Sequence, residues 1–433
     1  MLIEFSVANY RSFRARQTLS MTAAPRLGRK ENVFPAQAHG EKVPDLLKTV
    51  AIYGPNASGK SNLLKALDVI PRITRRTATA HLPPLPVSSF SFDRDLAGKP
   101  SEFEVHFIRS GLRYSYELAV TPERITHERL VAYPRGKESL LYDRRYGNGG
   151  DSYEFGHLLL QEAGTDVVEL WRKVTPPTVL FMAQAVANSS AEIRVLRKPF
   201  EWLTSASLSL MDGAGALMYS AQAMIAAGGE HDPSAAIASF LRELDVPVSK
   251  IVVTDQSGSA LPQFDGDANQ TQPGSLTQNR KNRLDPRNVY RTTLTHRTSL
   301  GEGEIDFEDE SKGTKNLFGF WLPWITREPS EKFSRCILQI DEFDSSLHPL
   351  IVEALVLRHT FSNSPSQLIF TTHDTHLMDT GILRRDQIWL TERDADGATQ
   401  VRSVHDFEGR QSEDIEKRYF EGRYRSLPLT TKG

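Results

Sequence analysis

The run Gly54-Pro55-Asn56-Ala57-Ser58-Gly59-Lys60-Ser61 fits the spacing G-x-x-x-x-G-K-[ST]. Each position in that pattern has a task in holding phosphate. Glycines let the backbone wrap an anion, and the amides around Asn56, Ala57, Ser58 and Asn62 point towards it. Lys60 reaches the β- and γ-phosphates, and the Ser61 hydroxyl offers an oxygen to magnesium. The implied ligands are ATP and Mg2+. A second set of chemistry-bearing residues lies far downstream. Cys336-Ile337-Leu338-Gln339-Ile340-Asp341-Glu342 is a mostly apolar stretch ending in two carboxylates. Asp341 suits a second magnesium anchor, and Glu342 suits the group that orients or deprotonates an attacking water. Gln367-Leu368-Ile369-Phe370-Thr371-Thr372-His373 ends in a histidine that can donate to the γ-phosphate.

Two further patterns point elsewhere and do not carry through. His373 and His376 have i, i+3 spacing, but no acidic or cysteine pattern joins them as metal ligands. Asp394-Ala395-Asp396-Gly397 opens like a calcium loop, yet the twelfth position is His405 where a bidentate glutamate is needed, so a hairpin turn is expected.

These side chains need an α/β frame. Thr49-Val50-Ala51-Ile52-Tyr53 reads as a short buried strand before the loop, and Asn62 to Leu67 opens a helix after it. The runs ending at Asp341 and at His373 read as further core strands, with a helix starting near Pro349. Met1 to about Ser20 alternates like a hairpin around Asn9-Tyr10-Arg11-Ser12-Phe13, and 22–47 reads as a loop. Strand-like runs at 102–108, 112–118 and 128–133 predict an antiparallel sheet inserted after the P-loop helix, with Gly147 to Gly150 as a flexible break. From 157 to 245 the pattern is helical, and 255–288 is polar and expected to be a mobile surface segment. Glu304 to Glu308 alternates like a strand, Ser311 to Thr314 reads as a helix start, and 388–391 with 401–404 reads as a hairpin. The expected division is 1–146 as an N-terminal ATPase lobe, 147–288 as a mostly helical insertion, and 289–433 as a C-terminal ATPase lobe.

Bulk composition excludes some classes. Lys and Arg total 52 against 54 Asp and Glu, so no global basic field argues for nucleic acid, and any such contact must be a local patch. The apolar share of 39% supports a substantial core across two or three domains. Cys336 is the single cysteine, which rules out an internal disulfide and reads as a core residue in a reducing compartment. The N-terminus lacks a signal-peptide pattern, and no run approaches the roughly eighteen apolar residues of a membrane span. The expectation is a cytoplasmic protein with no membrane contact.

As a set, Gly54 to Ser61, Ser311-Lys312-Gly313-Thr314, Asp341-Glu342, Asp344-Ser345-Ser346-Leu347-His348 and His373 resemble the Walker A, signature, Walker B, D-loop and switch histidine of ATP-binding-cassette (ABC) ATPases. Asn9 to Phe13 resembles the N-F-[KR]-S-F start of the RecF, SMC and Rad-fifty group. The nearest likeness is to RloA-like and abortive-infection ATPases, related to the ATPase half of OLD-family nucleases. It covers about 1–140 and 290–428, and includes Arg384 to Trp389, Arg418-Tyr419 and Gly422 to Tyr424. The signature departs from the usual one in lacking a leading Leu-Ser and a second glycine.

The resemblance implies an α/β fold: an ABC-type P-loop ATPase head with an antiparallel β subdomain and an inserted helical region. It implies a homo-oligomer, at least a dimer, in which Ser311 and Gly313 of one chain complete the ATP site of the other. It also implies nucleotide contacts from Arg11 and Ser12, and catalytic roles for Lys60, Glu342 and His373. OLD proteins carry a nuclease domain after the ATPase, whereas only about 60 residues follow His373 here. A separate effector, a nuclease or toxin, is therefore expected, with DNA or a phage-derived molecule as trigger in anti-phage defence. The competing expectation is a RecF/SMC-like DNA-repair or DNA-maintenance ATPase that binds duplex DNA. A phosphotransferase ranks below both, because 157–290 offers no catalytic base.

Overall fold

The computed structural model describes residues 1–78, 82–189, 193–205, 207–211, 213–229, 232–256, 290–325, 337–409, 413–424 and 426–427. Cys336 and nearly all of the polar stretch 255–288 lie outside these described residues. The chain divides into two compact units, one formed by Met1–Met211, Glu328–Asp344 and Leu355–Gly433, the other by Asp212–Arg327 and Ser345–Ala354.

In chain order, the strands β1 (Leu2–Ala8) and β2 (Gln17–Ser20) form the N-terminal hairpin. The stretch expected as a loop contains a small ribbon, β3 (Val33–Phe34) with β4 (Leu46–Leu47). Then come β5 (Thr49–Tyr53) and helix α1 (Lys60–Thr74). The strands β6 (Ser101–Arg109), β7 (Leu112–Val120), β8 (Ile125–Ala132), β9 (Ser139–Gly147) and β10 (Gly150–Phe155) follow. Helices α2 (His157–Ala163), α3 (Thr165–Val174), α4 (Phe181–Ala187) and α5 (Arg194–Ser205) precede β11 (Ser207–Leu210). The second unit contributes α6 (Gly215–Ala227), α7 (Ser234–Glu243), β12 (Val248–Asp255), β13 (Tyr290–Thr298), β14 (Gly301–Asp306) and α8 (Lys312–Ile325). The C-terminal part adds β15 (Ile337–Ile340), α9 (Pro349–Phe361), β16 (Gln367–Thr371), β17 (Ile388–Arg393), β18 (Thr399–Ser403) and α10 (Ile415–Phe420).

The first unit holds two large sheets. One is antiparallel, in the order β10-β9-β8-β7-β6-β1-β2. Its strands alternate, as half-buried antiparallel strands must, and Phe103, Val105 and Phe107 of β6 point into the core. There the Phe107 ring stacks on Trp202 with centroids 4.0 Å apart. Gly147 to Gly150 is not a break. Asn148 and Gly149 take positive φ values of 50° and 81°, and turn β9 directly into β10 as a tight hairpin.

The other sheet has the order β11-β15-β16-β5-β17-β18, parallel from β11 to β17 with β18 antiparallel at the edge. β5, β15 and β16 are buried along their whole length, which explains their unbroken apolar runs. β11 is a strand inside 157–245, where the sequence pattern is helical and broken only at Gly228-Gly229 and at prolines. Ser207-Leu208-Ser209-Leu210 is only four residues, too short for its alternation to stand out, and pairing with β15 makes it a strand. Buried amides join the parts: Gln367 accepts from the Leu2 amide at 2.6 Å and donates to Leu2 O at 3.0 Å, tying β16 to β1. Gln387 donates to Thr49 O at 2.9 Å. Arg384 and Asp386 pair at 2.6 Å, both buried, so this arginine is a structural clamp rather than a surface charge.

The helical region is anchored electrostatically. Glu128 of β8 is fully buried and accepts the Phe181 amide at the start of α4 at 2.8 Å and the Tyr142 hydroxyl at 2.7 Å. Arg144, equally buried, pairs with Asp151 at 2.8 Å and donates to Val179 O at 2.9 Å. A buried acid so surrounded is satisfied, and this cluster reads as structure rather than chemistry. In the second unit β12, β13 and β14 form an antiparallel sheet, with α6 packed against α8.

His359 in α9 is buried, with its Nε2 3.3 Å from Lys48 O, and burial pushes its pKa down from 6.5 to about 4. Between those values the unfolded chain takes up a proton that the folded chain does not, so stability falls as pH drops through this window. The loss approaches about 3 kcal/mol at its acid end. Urea midpoints measured at pH 7 and pH 4.5 are expected to drop markedly less in His359→Gln than in wild type; equal drops would assign the acid sensitivity to other groups.

Candidate nucleotide site

The site is assembled where three parallel strands end together. β5 pairs with β16 through Ile52 and Thr371, and β16 pairs with β15 through Phe370 and Ile340. Gly54, Asp341 and Thr372 therefore begin three adjacent loops at the carboxyl edge of one sheet, the edge at which open α/β sheets bind ligands.

Gly54 to Ser61 forms the loop between β5 and α1. Gly59 has φ of 106°, and a Cβ there would lie 2.1 Å from Thr399 Oγ1, so only glycine fits. Asn56 and Ala57 are exposed at the crest, with Ala57 in the left-handed region at φ 61°. Lys60 is buried, and its ammonium donates to Gly54 O at 2.8 Å and Pro55 O at 3.1 Å. Burial lowers its pKa, while the charges of Asp341, Glu342 and Asp344 pull it back up.

The loop is clamped from beneath by side chains that motif reading missed. Ser58 Oγ lies 2.5 Å from Thr391 Oγ1 of β17, and Thr391 Oγ1 donates to Tyr53 O at 3.1 Å. Thr399 Oγ1 lies 2.8 Å from both Ser58 O and Ser12 Oγ; its single proton goes to the Ser58 carbonyl, which can only accept, and its lone pair faces the Ser12 hydroxyl. Asn62 in turn donates to Ser12 Oγ at 2.9 Å. Ser12 is thus brought onto the P-loop helix. Arg11 is not: it is exposed, φ 51°, and its Nε donates to the Tyr10 hydroxyl at 2.9 Å.

Asp341 and Glu342 follow β15. Asp341 Oδ1 accepts from Thr371 Oγ1 at 2.6 Å, and the Glu342 amide donates to the same Oγ1 at 2.7 Å. Glu342 is exposed and sits in the left-handed region at φ 49°. His373 is exposed after β16, and its amide donates to both carboxylate oxygens of Asp344 at 3.3 Å. Beyond it, the Tyr53 hydroxyl donates to Asp374 O at 3.1 Å, fixing the loop to β5.

In the second unit, Ser311 Oγ accepts the Thr314 amide at 3.0 Å and caps α8. Gly313 allows a close approach, because a Cβ there would meet Ser346 O at 2.5 Å.

The residues present fit a magnesium nucleotide. A lysine ammonium beside a glycine-turned helix start suits phosphate, and Ser61 with Asp341 offers the hard oxygen donors that magnesium prefers. Thr371, Thr391 and Thr399 left no motif signal. The one available trace is that Thr371 closes an apolar run that reads as a core strand.

A protein-family model matches residues 50–179 and 215–379, and its description reads "AAA domain, putative AbiEii toxin, Type IV TA system". The chain belongs to this AAA domain family. A search of curated proteins finds no match. Among solved structures, the SMC head domain from Thermotoga maritima is 13% identical, with a TM-score of 0.37, covering 93% of this chain and 98% of its own. The Smc head domain with an extended coiled coil, bound to the C-terminal domain of ScpA and derived from Pyrococcus furiosus, is 12% identical, with a TM-score of 0.37 over 98% and 99%. A SmcHead bound to the C-winged helix domain of ScpA is 14% identical, with a TM-score of 0.34 over 93% and 97%. Among the described residues, no helix is long and apolar enough to cross a membrane.

Proposed function

We propose that this AAA domain protein binds and hydrolyses ATP as an ABC-type ATPase, and that it acts as a nucleotide-dependent sensor and scaffold controlling a separate effector, a nuclease or toxin, in prokaryotic anti-phage defence. The observation that supports the ATPase reading is the placement of the Gly54 to Ser61 loop and of Asp341 and Glu342 on adjacent loops at the carboxyl edge of one sheet. The family description, with its toxin and its type IV system, supports the defence role.

Bound magnesium would supply charge neutralisation between the β- and γ-phosphates, held by Ser61 and Asp341. The P-loop amides and Lys60 bind and orient the triphosphate. Glu342 takes a proton from the attacking water, and His373 donates to the γ-phosphate. Ser311 and Gly313 of a second copy bring a helix N-terminus to the same phosphate, making the dimer the hydrolytic unit.

The test measures nucleotide binding, phosphate release and sedimentation of the wild-type protein with and without MgATP. Saturable binding, magnesium-dependent turnover and a shift to a larger assembly are expected. A protein that binds no MgATP would end the ATPase reading. Copurification from native cells with no partner in any nucleotide state would remove the effector part alone.

A further inference from the structure

Thr371 is the last residue of β16 and is fully buried. A threonine there is ordinarily a packing choice, because β-branched residues suit strands. Its hydroxyl is placed to do more. The Glu342 N–H can only donate, so at 2.7 Å it uses an Oγ1 lone pair and the hydroxyl proton is directed to Asp341 Oδ1 at 2.6 Å. This fixes one oxygen of Asp341 and leaves Oδ2 as the oxygen to present to a cation. The carbonyl of the same residue accepts the Phe343 amide at 2.9 Å. Both amides flanking the left-handed turn at Glu342, φ 49°, are therefore tied to Thr371. A non-glycine residue in that region costs on the order of 1 kcal/mol and persists only where neighbours impose it.

We propose that Thr371 is the positioning residue of the hydrolytic site, one hydroxyl setting both the rotamer of the magnesium-anchoring Asp341 and the backbone turn that aims Glu342. The inference rests on the ATPase reading above. It predicts that the two carboxylates are set together, so that loss of one hydroxyl disturbs magnesium use and water activation at once.

Thr371→Val keeps shape and β-branching and removes only the hydroxyl; Thr371→Ser keeps the hydroxyl and loses a methyl. The experiment compares kcat, KM for ATP, the Mg2+ concentration giving half-maximal rate, and Tm for both variants and wild type. Thr371→Val is expected to lower kcat by about tenfold to a hundredfold, the scale of a small misplacement of catalytic groups. It should raise the Mg2+ requirement several-fold and leave KM for ATP at saturating Mg2+ nearly unchanged. Thr371→Ser is expected to stay close to wild type in kcat and Mg2+ requirement even where its Tm falls, which a packing role cannot produce. Should Thr371→Val fail to fold, Thr371→Ala carries the same expectation. A folded hydroxyl-free variant with wild-type kcat and Mg2+ dependence, or a serine variant as impaired as the valine one, overturns the proposal while leaving the ATPase reading intact. A wild type that hydrolyses no ATP overturns the ATPase reading itself, and this inference with it.

Discussion

Glu342→Gln is expected to bind ATP with wild-type affinity while hydrolysing it on the order of a hundred to a thousand times more slowly, the size of a lost general base. The substitution is close to isosteric. It also leaves the local geometry in place, because the bond from residue 342 to Thr371 is made by the backbone amide and not by the carboxylate. What it removes is the group that accepts a proton from water. The side chain is exposed at the sheet edge, so the change should cost little stability. Phosphate release gives the rate, equilibrium dialysis the affinity, and sedimentation the assembly state. With hydrolysis stopped, the ATP-bound form should accumulate as a larger species, and that species is the bait for a partner. If wild type binds ATP but rates and assembly match those of the variant, Glu342 is a surface acid and the mechanism fails.

The parts of this protein that could be read in advance are those where chemistry forces a local pattern. The P-loop is such a case: Gly54, Gly59 and Lys60 are required by phosphate itself, and the apolar runs ending at Tyr53, Asp341 and His373 are strands buried on both faces. What could not be read depends on register between distant segments. Thr371 matters only because β16 lies between β5 and β15, and Thr399 only because β18 brings it against Ser58 and Ser12. β11 was hidden in a helical stretch because four residues carry too little periodicity, and its strand state is imposed by β15 across more than a hundred residues. The motif Asn9 to Phe13 shows the same dependence on register: Ser12 meets Asn62 at the start of the P-loop helix, while the exposed Arg11 donates to the Tyr10 hydroxyl.

The composite site is tested most sharply by mixing two dead proteins. Lys60→Ala removes the ammonium from the phosphate loop, and Ser311→Arg replaces the α8 cap with a long cation at the surface meant to meet the partner's nucleotide. Each variant alone is expected to hydrolyse ATP at background rate. The second also loses a cap worth about 1 kcal/mol, so both must first be shown folded by their melting curves. Where the site is built from two chains, a mixed dimer holds one site with both defects and one with neither. Random exchange makes roughly half of the dimers mixed, each with one of two sites intact, so the mixture should recover up to about a quarter of the wild-type rate. If Ser311 served the nucleotide of its own chain, every site in the mixture would carry one defect and no activity would return. Recovery also requires the subunits to exchange, which a tagged copy captured with an untagged one establishes independently. A mixture that exchanges and stays inactive would place Ser311 outside the partner's site and reduce Ser311 to Thr314 to what its hydrogen bond already makes it, the cap of a helix.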